Sequence, residues 1–328
     1  MLRRRHRAKE RTRGRRILFA TDVHGSERCF RKFLNAAPLY EIDYLILGGD
    51  ITGKLMVPIV RNSDGTYDCT YGEAVHSGLD EAGLAAVKGQ IRGFGHYFIT
   101  VSPEQLGRLQ SDAEHRDAVF RDVVRKSIEE WVTLAEDRLR GTGVRCFAAP
   151  GNDDFFSIDA AMQSSDVIEF AENRLIQLDE THEMITTGYS NPTPWETERE
   201  LPEDKLRARI DAMAASVRDP ANLVVVLHPP PYQSGLDDAP ALNANLEMRL
   251  TATGVEAAPV GSTAVRGFIE DTQPLLGLHG HVHEGRGSTM IGRTLCLNPG
   301  SDYTAGTLSA AIIEIADGRV LTHQFVSG

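Results

Sequence analysis

The sequence contains few cysteines and no long apolar runs. Its four cysteines form no C-x-x-C pair, which excludes a zinc knuckle and a disulfide framework. No stretch approaches the ~20 consecutive apolar residues of a membrane-spanning helix. The basic N-terminus is also not followed by the apolar core of a signal peptide. We therefore predict free thiols, no membrane partner and a cytoplasmic location.

Positive charge is concentrated at one end of the chain. Residues 1–16 contain nine Lys or Arg residues and one Glu, although the net charge of all 328 residues is −11. We predict that this segment is a basic, flexible tail. A contact for an acidic partner surface or a neighbouring subunit is the alternative. The remainder of the chain, 17–328, is acidic, which argues against nucleic acid as a partner and suits metal cations instead.

Short apolar runs alternate with longer amphipathic stretches, and this alternation predicts an α/β fold. A helix is expected over 26–37, with Ser26 as its N-cap. The pair Asp317-Gly318 predicts a hairpin between the last two strands. Predicted strands cover residues 16–21, 42–48, 144–149, 223–227, 275–281, 293–297, 308–315 and 319–325.

The connection between the second and third predicted strands, about 54–143, is unusually long. A turn at 63–65 predicts a hairpin near its start. An amphipathic helix is expected over 111–140, because Val119, Val123 and Ile128 fall roughly on one face. Insertions of this size are usually structured and often functional. We therefore predict that 54–143 is a cap inserted into one domain that spans 17–328.

Five polar segments accompany the predicted strands. In an open α/β sheet, loops that follow strands converge at the carboxyl edge, where ligands bind. Carboxylate, amide oxygen and neutral imidazole are ligands for divalent transition metals. Each fragment alone is common, but the set in this order is specific for a metal centre. The segments are Asp22-Val23-His24-Gly25, Gly48-Gly49-Asp50, Gly151-Asn152-Asp153-Asp154, His228 and Gly280-His281-Val282-His283.

The order of these motifs resembles the calcineurin-like metallophosphoesterase superfamily. Two further stretches, Gly188-Tyr189-Ser190 and His228-Pro229-Pro230-Pro231-Tyr232, resemble its small prokaryotic, cyclic-phosphodiesterase-like branch. The resemblance implies a four-layer αββα sandwich of two mixed sheets. It also implies two divalent cations, which can be manganese, iron, zinc or nickel. By motif, Asp50 bridges both cations, while the first is held by Asp22, His24 and His283, and the second by Asn152, His228 and His281.

The resemblance implies hydrolysis of a small phosphoester, with a phosphodiester favoured, through a metal-bound hydroxide. A non-catalytic metal-binding scaffold and a nuclease are the alternatives. The sequence departs from many relatives at Asp153, where they carry a histidine that assists the leaving group. We expect the cations to lower the pKa of Asp153 and make it a poor acid. His96 and His279 are candidates to fill this role. The sequence predicts neither the natural substrate nor the oligomeric state.

Overall fold

The computed structural model describes residues 14–243, 245–252 and 254–328. Its helices are α1 (Glu27–Leu39), α2 (Glu81–Gly93), α3 (Pro103–Ser111), α4 (Ala113–Leu139), α5 (Asp159–Gln163), α6 (Glu203–Ala214) and α7 (Thr263–Thr272). Its strands are β1 (Arg15–Ala20), β2 (Tyr44–Gly48), β3 (Met56–Arg61), β4 (Tyr67–Tyr71), β5 (Ala74–Leu79), β6 (Tyr97–Val101), β7 (Arg145–Ala149), β8 (Ile168–Phe170), β9 (Arg174–Gln177), β10 (Glu183–Thr187), β11 (Leu223–Leu227), β12 (Asp238–Pro240), β13 (Leu250–Thr251), β14 (Gly254–Val255), β15 (Ala257–Pro259), β16 (Leu276–Leu278), β17 (Gly287–Ile291), β18 (Thr294–Asn298), β19 (Ser309–Ala316) and β20 (Arg319–Ser327).

Two six-stranded mixed sheets form the centre of the molecule. The first has the order β20-β19-β1-β2-β7-β8 and the second the order β17-β18-β16-β11-β10-β9. The strands β1, β2 and β7 are parallel, as are β10, β11, β16 and β18. Parallel strands are covered on both faces, which explains why residues 17–20 of β1 and the whole of β11 are continuous apolar runs. All carboxyl ends of each parallel set therefore meet at one edge.

The two sheets pack face to face, and helices cover their outer faces. Ile17, Phe19 and Ile46 of the first sheet share a core with Val224 and Leu276 of the second. Residues of α1 and α4 pack on the outer face of the first sheet, and residues of α6 and α7 on that of the second. The layers thus follow the order helix, sheet, sheet, helix, and the predicted α/β sandwich is confirmed.

Most predicted elements lie within a few residues of the observed ones. Ser26 caps α1 through its hydroxyl, which accepts a hydrogen bond from the Cys29 amide. The predicted strand 275–281 already ends at Leu278, and His281 lies beyond it with a left-handed φ of 66°. Residues 14–16 of the predicted tail precede or belong to β1, and 1–13 lie outside the described residues. No helix of the described chain is long and apolar enough to cross a membrane.

The long insertion forms its own small layer. Its strands make a four-stranded sheet of order β5-β4-β3-β6, and the predicted hairpin joins β3 to β4. Val57, Ile59 and Ile91 belong to an apolar cluster between this sheet and α2. The helix α4 returns the chain to the sandwich, where Trp131 stacks on Phe30 of α1 with 4.2 Å between ring centroids. We call residues 54–143 the cap.

The two tryptophans of the chain test how strongly α4 anchors the cap. Trp131 is 5% exposed and Trp195 is 65% exposed. Trp131→Ala should lower the free energy of unfolding by about 3–5 kcal/mol, because it leaves a cavity between α1 and α4. Trp195→Ala should change it by less than about 0.5 kcal/mol. Urea titrations that give both variants the same midpoint would show that the stacking contributes little.

Candidate metal centre

Four of the seven predicted ligands have left-handed backbone conformations. The φ angles are 52° at Asp22, 40° at His24, 47° at Asp50 and 66° at His281. Non-glycine residues seldom adopt this region, and each such residue costs on the order of 1–3 kcal/mol unless its surroundings enforce it. Strain of this kind concentrates at functional sites. The clustering of four such residues is therefore an independent indication of a site at this sheet edge.

Hydrogen bonds hold the strained loops after β1 and β2 against one another. The amide of Asp22 donates to the Gly49 carbonyl at 2.9 Å, and the amide of His24 donates to the Asp50 carbonyl at 3.0 Å. The fully buried carboxylate of Asp154 joins the third loop to the second, since it accepts from the amides of Gly151 and Ile51 at 2.7 and 2.9 Å. The three loops therefore form one rigid unit.

The first group of ligands consists of Asp22, His24 and His283, whose donor atoms lie within 4.8 Å of one another. The two Nε2 atoms of the histidines are 3.1 Å apart. The Nε2 atom of His283 lies 3.5 Å from Oδ1 of Asp22. The side chain of His283 is 33% exposed, whereas those of Asp22 and His24 are 1% exposed. This group therefore opens to solvent on the His283 side.

The second group contains Asp50, His228 and His281, again with donor atoms within 4.8 Å. Asn152 completes it, because its Oδ1 lies 2.8 Å from Nδ1 of His281. The Oδ1 atom of Asp50 is 3.4 Å from Nε2 of His228, and its Oδ2 atom is 3.8 Å from Nε2 of His24. Asp50 thus lies between the two groups, with one oxygen nearest to a member of each.

The electrostatic environment favours the ligand forms of most of these side chains. Burial raises the pKa of Asp22, but the hydrogen bond with His283 and the charges of His228 and His283 together outweigh burial, and the pKa is about 2. Burial also opposes ionisation of Asp50, but the charge and hydrogen bond of His228, with the charges of His24 and His281, together hold that pKa well below its usual value. Burial lowers the pKa of His24 and His281 to about 4. At neutral pH these carboxylates are ionised and these imidazoles are neutral, as metal ligation demands.

His228 carries a further sign that the site suits a cation. Its Nδ1 lies 3.1 Å from the Gly48 carbonyl, which directs Nε2 towards the cluster. That Nε2 is buried, and it lies 3.4 Å from Oδ1 of Asp50, with which it forms an ion pair when the ring is protonated. Burial lowers the pKa of His228, but the charge and hydrogen bond of Asp50, with the charge of Asp22, together raise it to about 10. A cation that binds here would displace this proton and balance the charge of Asp50 in its place.

The structure separates the three predicted catalytic assistants. Nδ1 of the fully buried His279 lies 2.8 Å from the Leu227 carbonyl, so this ring bonds the sheet rather than the ligands. His96 lies in the cap, with its Nδ1 3.0 Å from the Tyr71 hydroxyl. Asp153 alone lies beside the ligands, with an oxygen within 4.8 Å of donor atoms of His24 and Asp50.

The pKa of Asp153 is set by opposing effects. Burial and the charge of Asp50 raise it to about 7, whereas Lys54 lowers it. The lowered pKa that the sequence predicts would therefore have to come from the cations themselves. The carboxylate is not free, since it forms an ion pair with the ammonium group of Lys54.

Three residues that sequence reasoning missed surround the ligands. Besides Lys54, the hydroxyl of Thr197 accepts a hydrogen bond from Nδ2 of Asn152 at 3.0 Å and thereby turns Oδ1 towards His281. The ring of Tyr303 lies 4.7 Å from that of His24. Only Lys54 had a usable signal, since it follows Asp50 by four residues in a glycine-containing loop.

Comparisons with known proteins support the fold and leave the activity open. No protein-family model matches the chain. A segment of 129 residues is 27% identical to the uncharacterized protein MJ1162 of Methanocaldococcus jannaschii. The segment covers 39% of this chain and 52% of MJ1162, so the match spans about half the length of that relative. TT1561 of Thermus thermophilus superposes with a TM-score of 0.54 at 13% identity, over 96% of this chain and 98% of that one. Another crystal structure superposes with a TM-score of 0.51 at 15% identity, again over 96% of this chain and 98% of that one.

The position of Asp50 between the two groups predicts the most severe loss of cations. Asp50→Asn keeps the shape of the side chain but removes the charge that faces both groups. We expect the folded variant, loaded with manganese, to retain no more than one of two cations by elemental analysis. Glu284→Gln is the control, because this exposed carboxylate adjoins His283 in sequence but belongs to neither group of donor atoms. Two full equivalents in Asp50→Asn would refute the bridging role.

The contact between Thr197 and Asn152 predicts a milder effect. Thr197→Val removes the hydroxyl that orients the amide, and changes of this kind typically weaken metal affinity by about 10- to 100-fold. Thr193→Val is a matched control. The hydroxyls of Thr193 and Thr197 both donate to Glu200 at 2.6 Å, but only that of Thr197 accepts a hydrogen bond from Asn152. Chelator competition should show weaker binding of one cation in Thr197→Val only. Equal affinities in both variants would mean that Thr197 does not orient the ligand.

Proposed function

We propose that this protein is a dinuclear metal-dependent phosphoesterase of the calcineurin-like type, with phosphodiesters as the favoured substrates. The observation that carries the proposal is the arrangement of seven side chains from five segments into two adjoining groups. Asp22, His24 and His283 form one group and Asn152, His228 and His281 the other, with Asp50 between them. This is the division that the motif resemblance implies. Manganese, iron, zinc or nickel would suit these ligands.

The chemistry follows from what such a site can supply. Two bound cations would provide Lewis acidity and activate water for attack on phosphorus. The residues of the chain hold the ionised carboxylates of Asp22 and Asp50 in place and keep the imidazoles of His24 and His281 neutral. The partly exposed His283 marks the side from which a substrate would enter. No side chain is required as a covalent nucleophile.

Two alternatives differ from this proposal in what they require. A non-catalytic scaffold does not need all seven ligands, and here all seven are present and brought together. A nuclease would favour a basic surface around the site, whereas the net charge of the chain is −11. A small phosphoester is therefore the preferred substrate class. We also propose a cytoplasmic location, which agrees with four buried free cysteines.

An assay with a chromogenic diester tests the proposal. Purified protein loaded with manganese should release nitrophenol from bis(4-nitrophenyl) phosphate. Exhaustive chelation should reduce the rate by at least about a hundredfold, because metal ions contribute several kcal/mol to such transition states. Readdition of manganese should restore the rate. Asp50→Asn, purified in parallel, controls for contaminating phosphatases. Protein that binds two cations but hydrolyses neither this diester nor nitrophenyl phosphate would be a scaffold.

A further inference from the structure

Lys54 presents a partly exposed positive charge beside the metal centre. Its ammonium group pairs with the carboxylate of Asp153. The lysine side chain is 62% exposed, whereas that of Asp153 is 13% exposed. The lysine therefore has a fixed inner partner and an outer side that solvent or a ligand can reach.

The backbone that carries Lys54 is held on both sides. The amide and hydroxyl of Thr52 both donate to Oδ1 of Asp154, at 2.8 and 2.6 Å. The amide of Gly53 donates to the Tyr97 hydroxyl at 2.9 Å, and an added Cβ on Gly53 would lie only 1.9 Å from the Gly95 carbonyl oxygen. On the other side, the Leu55 carbonyl accepts from the Tyr97 amide at 2.8 Å. With the neighbouring backbone held in this way, the side chain of Lys54 is the part of the residue that can change conformation.

Asp153 holds the ammonium group of Lys54 close to Asp50, the candidate ligand that lies between the two groups. The amide of Asp153 donates to Oδ1 of Asp50 at 3.0 Å, so the loop is fixed to the bridging carboxylate. The carboxylate of Asp153 lies within 4.8 Å of donor atoms of His24 and Asp50. Without the lysine, a buried carboxylate would face the place where an anionic substrate must lie. The ion pair with Lys54 neutralises the charge of Asp153, and the ammonium group still has N–H donors for another anion.

We propose that Lys54 binds the phosphoryl group of the substrate, and that Asp153 is the residue that positions it. The inference rests on the proposed function and adds a substrate-binding cation from the protein itself. An ammonium group binds phosphate as a point charge with rotatable donors. In this arrangement Asp153 needs no catalytic proton, because its role is to hold the ammonium group at the edge of the metal centre.

Equilibrium binding of inorganic phosphate to the manganese-loaded protein tests the inference without turnover. Lys54→Met should weaken phosphate binding by about 10- to 100-fold, the usual range for a lost hydrogen bond to a charged group. Lys126→Met is the matched control, because Lys126 is also 62% exposed and pairs with an aspartate, Asp122, at 2.7 Å. The Lys126→Met variant should bind phosphate with the same affinity as the parent protein. Elemental analysis should find two cations in all three proteins.

A double variant separates contact with phosphate from simple neutralisation of Asp153. If Lys54 touches the anion, Lys54→Met combined with Asp153→Asn should still bind phosphate at least about tenfold more weakly than the parent. Recovery of parental affinity would overturn the inference, because the lysine would then only cancel a charge. Unchanged affinity in Lys54→Met would overturn it too, as would loss of a cation from that variant. If the parent protein takes up no cations, the proposed function itself fails, and this inference fails with it.

Discussion

Two carboxylates are buried side by side at the edge of the sandwich, and the rest of the site is organised around them. Asp22 is 1% exposed and Asp50 is 2% exposed. The burial of an ion costs several kcal/mol unless other groups compensate for it. Here the His281 amide donates to both oxygens of Asp22 at 3.1 and 3.0 Å, and the Thr21 hydroxyl donates to it at 2.7 Å. Imidazoles and, in the proposed function, cations supply the remaining compensation.

This compensation determines the backbone of the loops. The amides can reach the carboxylates only if the chain turns sharply after each strand, which explains the left-handed conformations at Asp22, Asp50 and His281. Glycines are required at the closest approaches. An added Cβ would lie 2.1 Å from Oδ1 of Asp50 at Gly151, and 2.4 Å from Oδ2 of Asp22 at Gly280. The apolar strands beneath anchor both ends of these loops and make the strain tolerable.

The sequence predicted the sandwich and the ligand set because both leave local signals. The buried strands are continuous apolar runs, and each ligand motif directly follows or ends one of them. The interactions between motifs left no such signal. Thr197 is 45 residues from Asn152, and its role depends on the path of a loop without regular structure. The contact of the His279 ring with the Leu227 carbonyl left no signal for a related reason, since proximity to His281 in sequence does not determine which way the ring faces.

The pairing of Lys54 with Asp153 shows how the cap and the metal centre share one segment. The loop 51–55 leaves the strand that carries Asp50 and enters the first strand of the cap. Asp154 fixes its beginning, whereas Tyr97 of the cap fixes its end. The backbone of Lys54 is therefore fixed by the loop of Asp154 on one side and by the cap on the other. In the proposed function, the cap thus helps to place the residue that binds the phosphoryl group, although it contributes none of the seven cation ligands.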